Sequence, residues 1–139
     1  MKAFDTDILT EVLSGNPAYA ERIANVPPTE QSVPIVVIEE IIRGRLNSIR
    51  QAESGKARIS IEQADELFER TLDDFRDLRV VPNSSSAQAL FAEWRKRKIR
   101  SSTHDLRIAA SCVADSVTLV TRNRRDFQVI PGLVLEIWE

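Results

Sequence analysis

Two acidic residues close the first apolar run of the chain, Lys2-Ala3-Phe4-Asp5-Thr6-Asp7-Ile8-Leu9. Carboxylates two residues apart after a strand support either of two chemistries. Asp5 could attack a phosphate with Asp7 as its acid partner, or it could be the first acid of a site where a divalent cation activates water. Asp105 offers a second acid. It begins a helical stripe that Ile108, Ala109, Cys112 and Val113 continue into the core, and a carboxylate there is costly unless a cation or hydrogen-bond donors satisfy it. Ser102-x-x-Asp105 is also a capping box, a purely structural use of the same residue. Glu39 and Glu40 supply a third acid. The helical wheel brings Glu39 closer to the Ile42/Leu46 stripe, and solvation in a first turn would suit either. Beyond Val-Thr-Leu-Val-Thr121 stand Asn123, able to ligate or hold a water, and Asp126, able to cap a short turn before Phe127.

Composition narrows the chemistry. With one cysteine, Cys112, and one histidine, His104, there is no internal disulfide and no cysteine- or histidine-rich zinc site. Any metal would be held by oxygen, which suits Mg²⁺ or Mn²⁺. The four glycines are not spaced as a phosphate-cradling loop, so most ATP- and NAD-dependent reactions are excluded. No apolar run has the length of a membrane span and no charged-then-apolar leader is visible, so no membrane association and a cytoplasmic address are expected. The net charge of −2 conceals basic clusters at Arg43/Arg45/Arg50, Arg95–Lys98 with Arg100, and Arg122/Arg124/Arg125. Such clusters can guide a polyanion, although a solvated helix face is their commoner use.

The elements that must position these residues alternate between strand and helix. Residues 2–5 read as a strand, followed by a helix capped by Thr6 or Asp7 and stopped near Gly15. Asn16 and Pro17 restart a second helix. Ser-Val-Pro-Ile-Val-Val-Ile is a second apolar run, in which Pro34 argues against a long central strand. Ile38, Ile42, Leu46 and Ile49 recur at helical spacing over 37–52. Ser60 and Gln63 then open another helix to about Leu78, which makes a helical hairpin. Further strands are read at Leu-Arg-Val-Val-Pro, Val-Thr-Leu-Val-Thr and Leu-Val-Leu-Glu-Ile-Trp, with helices at 84–98 and 103–115. The pattern predicts an α/β layered fold with a mostly parallel sheet, in one domain over 1–139. Function in such sheets gathers at the carboxyl ends of strands, where Asp5 falls.

Four ordered segments resemble the PIN-domain ribonucleases, most closely the VapC-type toxins of bacterial toxin–antitoxin pairs. Phe-Asp-Thr-Asp-Ile-Leu-Thr-Glu-Val-Leu matches the opening element and selects Asp5. Val-Val-Ile-Glu-Glu-Ile-Ile-Arg-Gly matches the element with glutamate four residues before glycine and selects Glu40. Ser-Thr-His-Asp-Leu-Arg-Ile-Ala-Ala-Ser-Cys selects Asp105. Leu-Val-Thr-Arg-Asn-Arg-Arg-Asp-Phe-Gln-Val-Ile-Pro-Gly-Leu resembles the closing element, with Asn123 where some members carry an acid. A haloacid-dehalogenase-type phosphatase would need Thr or Val at Leu9, a later lysine and a Gly-Asp-x-x-x-Asp element that this chain lacks. A phospho-receiver would need a lysine where arginines stand.

The resemblance implies a three-layer PIN-like fold and hydrolysis of RNA phosphodiesters with Mg²⁺ or Mn²⁺. In it Asp5 and Asp105 are the principal ligands and Glu40 completes the negative pocket. Asn123, Asp126 and Thr121 would position water, while Thr6 and Asp7 would fix Asp5. Arg43, Arg45, Arg122 and Arg124 are the candidates for holding the RNA backbone. Trp94 and Cys112 are expected to pack in the core, and His104 to have no role. The implied partners are a cognate antitoxin and a second copy of the chain, with the apolar residues of the hairpin partly exposed as a groove wall. Two other readings stay open: a protein-binding module with weak or lost catalysis, and a housekeeping RNA-processing or structure-selective nuclease.

Overall fold

The computed structural model describes residues 1–139. Strand β1 (Lys2–Phe4) occupies the middle of a five-stranded sheet with β2 (Gln31–Pro34), β3 (Arg79–Val81), β4 (Thr118–Thr121) and β5 (Leu135–Ile137), in the order β3-β2-β1-β4-β5. Every pairing is parallel. A strand covered on both faces reads as a continuous apolar run rather than an alternation, and Ala3 and Phe4 are both fully buried. Seven helices flank the sheet: α1 (Thr6–Leu13), α2 (Pro17–Ala24), α3 (Ile35–Glu53), α4 (Ile61–Phe75), α5 (Ser85–Lys96), α6 (Thr103–Ala114) and α7 (Arg124–Phe127). One cluster of 24 buried apolar residues joins sheet and helices. The three-layer α/β architecture and the helical hairpin are those the sequence indicated.

Pro34 explains where β2 stops. It is the last residue of the strand and the N-cap of α3, so its missing N–H removes no bond from the middle of the ladder. The following Ile-Val-Val run therefore begins α3 at Ile35 instead of prolonging the strand. The expected hairpin forms from α3 and α4, with the Ser60/Gln63 capping box present. Helix α4 ends at Phe75, three residues short of the expected Leu78. Trp94 and Cys112 are buried as expected. No helix is long and apolar enough to cross a membrane.

Candidate active site

Parallel pairing places the carboxyl ends of β1, β2 and β4 on one edge, and the acids gather there. Asp5 directly follows β1 and is the N-cap of α1: its Oδ1 accepts from the Thr6 N–H at 2.7 Å. Its Oδ2 accepts from the Thr121 hydroxyl at 2.7 Å. Thr121 is fully buried at the end of β4, and its oxygen in turn accepts from the Asn123 N–H at 3.0 Å. A hydroxyl has a single proton to give, so this chain of donors commits Thr121 to Asp5. The carboxylate is 6% exposed. Burial, reinforced by the charges of Asp7 and Asp105, pushes its pKa up to about 6 against the lowering effect of the Thr121 and Thr6 hydrogen bonds.

The remaining acids approach from separate elements. The side chain of Ser102, N-cap of α6, accepts from the Asp105 N–H, so one half of the expected capping box is formed; no return bond joins the Asp105 carboxylate to the Ser102 N–H. Burial also raises the Asp105 pKa, with Asp126 and Glu40 adding to the rise and Ser102 and His104 opposing it. Glu40, in the second turn of α3, accepts from the Thr6 hydroxyl at 2.6 Å. Asp7 Oδ2 accepts from the Arg122 N–H at 3.1 Å and so ties α1 to the loop after β4. Its Oδ1 is buried without a hydrogen-bond partner, and burial raises its pKa. Asn123 and Asp126 cap α7 reciprocally: Asn123 Nδ2 donates to Asp126 Oδ2, and the Asp126 N–H donates to Asn123 Oδ1.

Three expectations need correction. The helical wheel favoured Glu39, but Glu39 pairs with Arg107 at 3.1 Å; Glu40 is the residue turned toward Thr6. The wheel measures distance from the apolar stripe, whereas the approach of α6 decides which glutamate faces the edge. His104 was expected to have no role, yet its Nε2 lies in hydrogen-bond contact with Glu40 Oε2. Its neighbour Asp105 hinted at this, but the contact depends on α3, 64 residues away. Arg45 does not reach the carboxylates. Its Nε donates to Thr71 inside the hairpin at 2.9 Å.

The other proposed basic residues divide as well. The Arg122 guanidinium pairs with Glu11 and lies over the Tyr19 ring, while Arg43 and Arg124 are exposed and form no ion pair. The donor set at the edge is all oxygen apart from His104. Oxygen donors of this kind are chemically suited to Mg²⁺ or Mn²⁺, but no three of these side chains form a ready-made metal-ligand cluster. Burial leaves Asp5, Asp7 and Asp105 with raised pKa values even though Arg122 acts on Asp7 and His104 on Asp105, and Asp7 Oδ1 has no hydrogen-bond partner.

A short parallel sheet with acids drawn from four helices and one strand end defines a small α/β protein built around a carboxylate-lined edge. The chain belongs to the PIN domain family, whose model matches residues 2–133. It is 32% identical over 66 residues to Ribonuclease VapC2 of Rickettsia felis; the match takes in 45% of this chain and 49% of that relative, about half its length. Solved structures share the fold. They include the R. felis VapBC2 structure bound to a promoter DNA fragment (TM-score 0.74, 20% identity, 99% of this chain and 98% of that one). FitAcB from Neisseria gonorrhoeae superimposes with a TM-score of 0.78 at 17% identity, covering 98% and 97%. VapBC from Salmonella typhimurium, bound to DNA, does so with a TM-score of 0.74 at 19% identity, covering 99% and 98%.

Proposed function

We propose that this chain, as one PIN domain, is an Mg²⁺- or Mn²⁺-dependent endoribonuclease and the toxin of a toxin–antitoxin pair, working in the cytoplasm. The observation that carries the reading is the carboxyl edge itself. Asp5 is buried at the end of β1, with its pKa raised by burial and by the charges of Asp7 and Asp105. Asp105 is raised by burial, with Asp126 and Glu40 adding to the rise. Carboxyls kept close at such a cost suit a role in gathering a cation. Asp5 and Asp105 would hold the ion, with Glu40 beside them. When bound, a divalent cation supplies charge neutralisation at the phosphodiester and lowers the pKa of a water.

The protein's own groups have definite tasks in this reading. Thr121 and the Thr6 N–H fix the two oxygens of Asp5, leaving each a lone pair directed away from its donor. Thr6 and His104 fix Glu40. Asn123 and Asp126, locked on each other, would orient water at the rim. Arg43 and Arg124 would hold substrate phosphates, to which arginine binds in bidentate fashion.

The named relatives support an antitoxin partner: a VapC ribonuclease and VapBC structures make a cognate antitoxin the expected inhibitor. A homodimer is the assembly proposed with it. The hairpin supports an antitoxin contact because Ile61 and Leu72 of α4 are each close to half exposed. The test uses antitoxin-free protein on cellular RNA with Mg²⁺ or Mn²⁺, beside Asp5→Asn and a chelator control. Metal-dependent cleavage that Asp5→Asn abolishes is the expected result. A folded wild-type protein that leaves all RNA intact would overturn the reading in favour of a binding module.

A further inference from the structure

Helix α3 carries a glycine that no packing contact requires. Gly44 lies in its middle with helical backbone, and glycine there weakens a helix relative to alanine. A Cβ at this position would meet nothing within 4 Å, so no close packing demands the small residue. The missing side chain instead leaves the floor of a groove open. That groove, about 490 Å³, is lined by Glu40, Arg43, Gly44, Leu46, Asn47 and Arg50. Glu40 and Gly44 are one turn apart on the same helical face, so the groove starts at the candidate active site and runs along the helix away from it.

The lining identifies the occupant. Only Leu46 is apolar, which does not suit an apolar partner surface. Arg43 and Arg50 are exposed and form no ion pair. Two guanidinium groups without ion-pair partners and an amide between them, around the gap left at Gly44, match a phosphate backbone that lies close to the helix. We infer that the Gly44 groove seats the single-stranded RNA backbone on one side of the scissile bond, with Arg43, Asn47 and Arg50 as its phosphate contacts. Asn47, Arg50 and Gly44 thereby become substrate-binding positions. This rests on the ribonuclease reading above.

The test separates the two ideas. A labelled single-stranded oligoribonucleotide of mixed sequence is titrated onto the Asp5→Asn protein, with and without further substitutions, and cleavage of cellular RNA is followed in the same series with Asp5 intact. Gly44→Leu fills the groove while improving helix propensity, so its melting temperature should equal or exceed the parent's. Its RNA affinity should fall by about tenfold or more. Gly44→Ala should raise the melting temperature with a smaller loss of affinity. Arg50→Ala should lower the slope of log affinity against log salt by about 0.7, a readout that does not depend on Gly44→Leu folding. Folded Gly44→Leu that binds and cuts RNA like the parent overturns the groove and leaves the ribonuclease standing. A changed sedimentation mass for Gly44→Leu with unchanged RNA affinity also overturns it, reassigning the face to contact between copies. Failure of the wild-type protein to cleave, together with no RNA binding by Asp5→Asn, removes both.

Discussion

The carboxyl edge of the sheet and the α3–α4 hairpin are built on opposite principles. At the edge, Asp5 is buried and three acids are tied to other elements: Asp5 to β4 through Thr121, Asp7 to the Arg122 N–H, and Glu40 to Thr6 and His104. In the hairpin, apolar groups stand in water. Helix α4 buries only Ala64 and Thr71, and the Arg45–Thr71 hydrogen bond supplies a polar stitch between the helices. The edge gives up stability to hold like charges together, whereas the hairpin gives up burial to keep a surface available. Functional strain thus takes an electrostatic form in one region and a hydrophobic form in the other.

Substitutions can sharpen or break that contrast. The largest effect belongs to Asp5→Asn, which removes the principal candidate ligand. Metal-dependent RNA cleavage should fall on the order of a thousandfold, the scale of several kcal/mol of lost transition-state stabilisation, measured as single-turnover rates. The same variant should be more stable than wild type in metal-free buffer at pH 7. The sign follows from linkage: the folded pKa of Asp5, about 6, lies above its ordinary value of 3.8, so the native state binds the proton more tightly. The contribution of Asp5 to stability is complete below pH 3.8 and is lost as pH rises through 6. Chemical denaturation should show roughly 2–3 kcal/mol of this dependence, and Asp5→Asn should abolish it.

Thr121→Val comes next. It strips Asp5 of a buried donor and the Asn123 N–H of its acceptor, so unfolding free energy should drop by about 1–3 kcal/mol. Mn²⁺ affinity, read by calorimetry, should fall roughly 10–100-fold. Thr71→Val in the hairpin leaves the Arg45 Nε without its acceptor and should cost only about 1 kcal/mol in a denaturant titration, since Arg45 is partly solvated. The smallest effect on stability is expected at Leu72→Gln, within about 0.5 kcal/mol, although antitoxin binding measured by titration should weaken. A Leu72→Gln protein that unfolds readily would show the hairpin surface to be structural and collapse the contrast between the two regions.

The strands and helices were readable because their signals are local: a continuous apolar run for β1, a capping box for α4, an Asn-Pro start for α2. Asp5 and Asp105 could be singled out for the same reason, one at a strand end and the other at a helix start. The contacts that orient the site were less legible. Which glutamate of the Glu39-Glu40 pair faces the edge depends on where α6 lies, and Arg107 claims the other one. Arg45 stands in a basic cluster by sequence, yet the hairpin turns it onto Thr71. His104 lies off the stripe that begins at Asp105, and only the approach of α3 gives it a partner. Side-chain direction at these positions follows from packing between distant elements, which periodicity along one helix does not report.

The hydrogen bond from Thr121 to Asp5 joins residues 116 positions apart, and it has a consequence in time. A ribosome releases β1, α1 and β2 long before it releases β4, so an emerging chain carries Asp5 without the Thr121 clamp and with β1 paired on one side only. The catalytic constellation proposed here can form only after nearly all of its residues have been synthesised, since non-local pairing waits for both partners. On the ribonuclease reading proposed above, the site is thereby incomplete while the chain is still attached to the machinery making it.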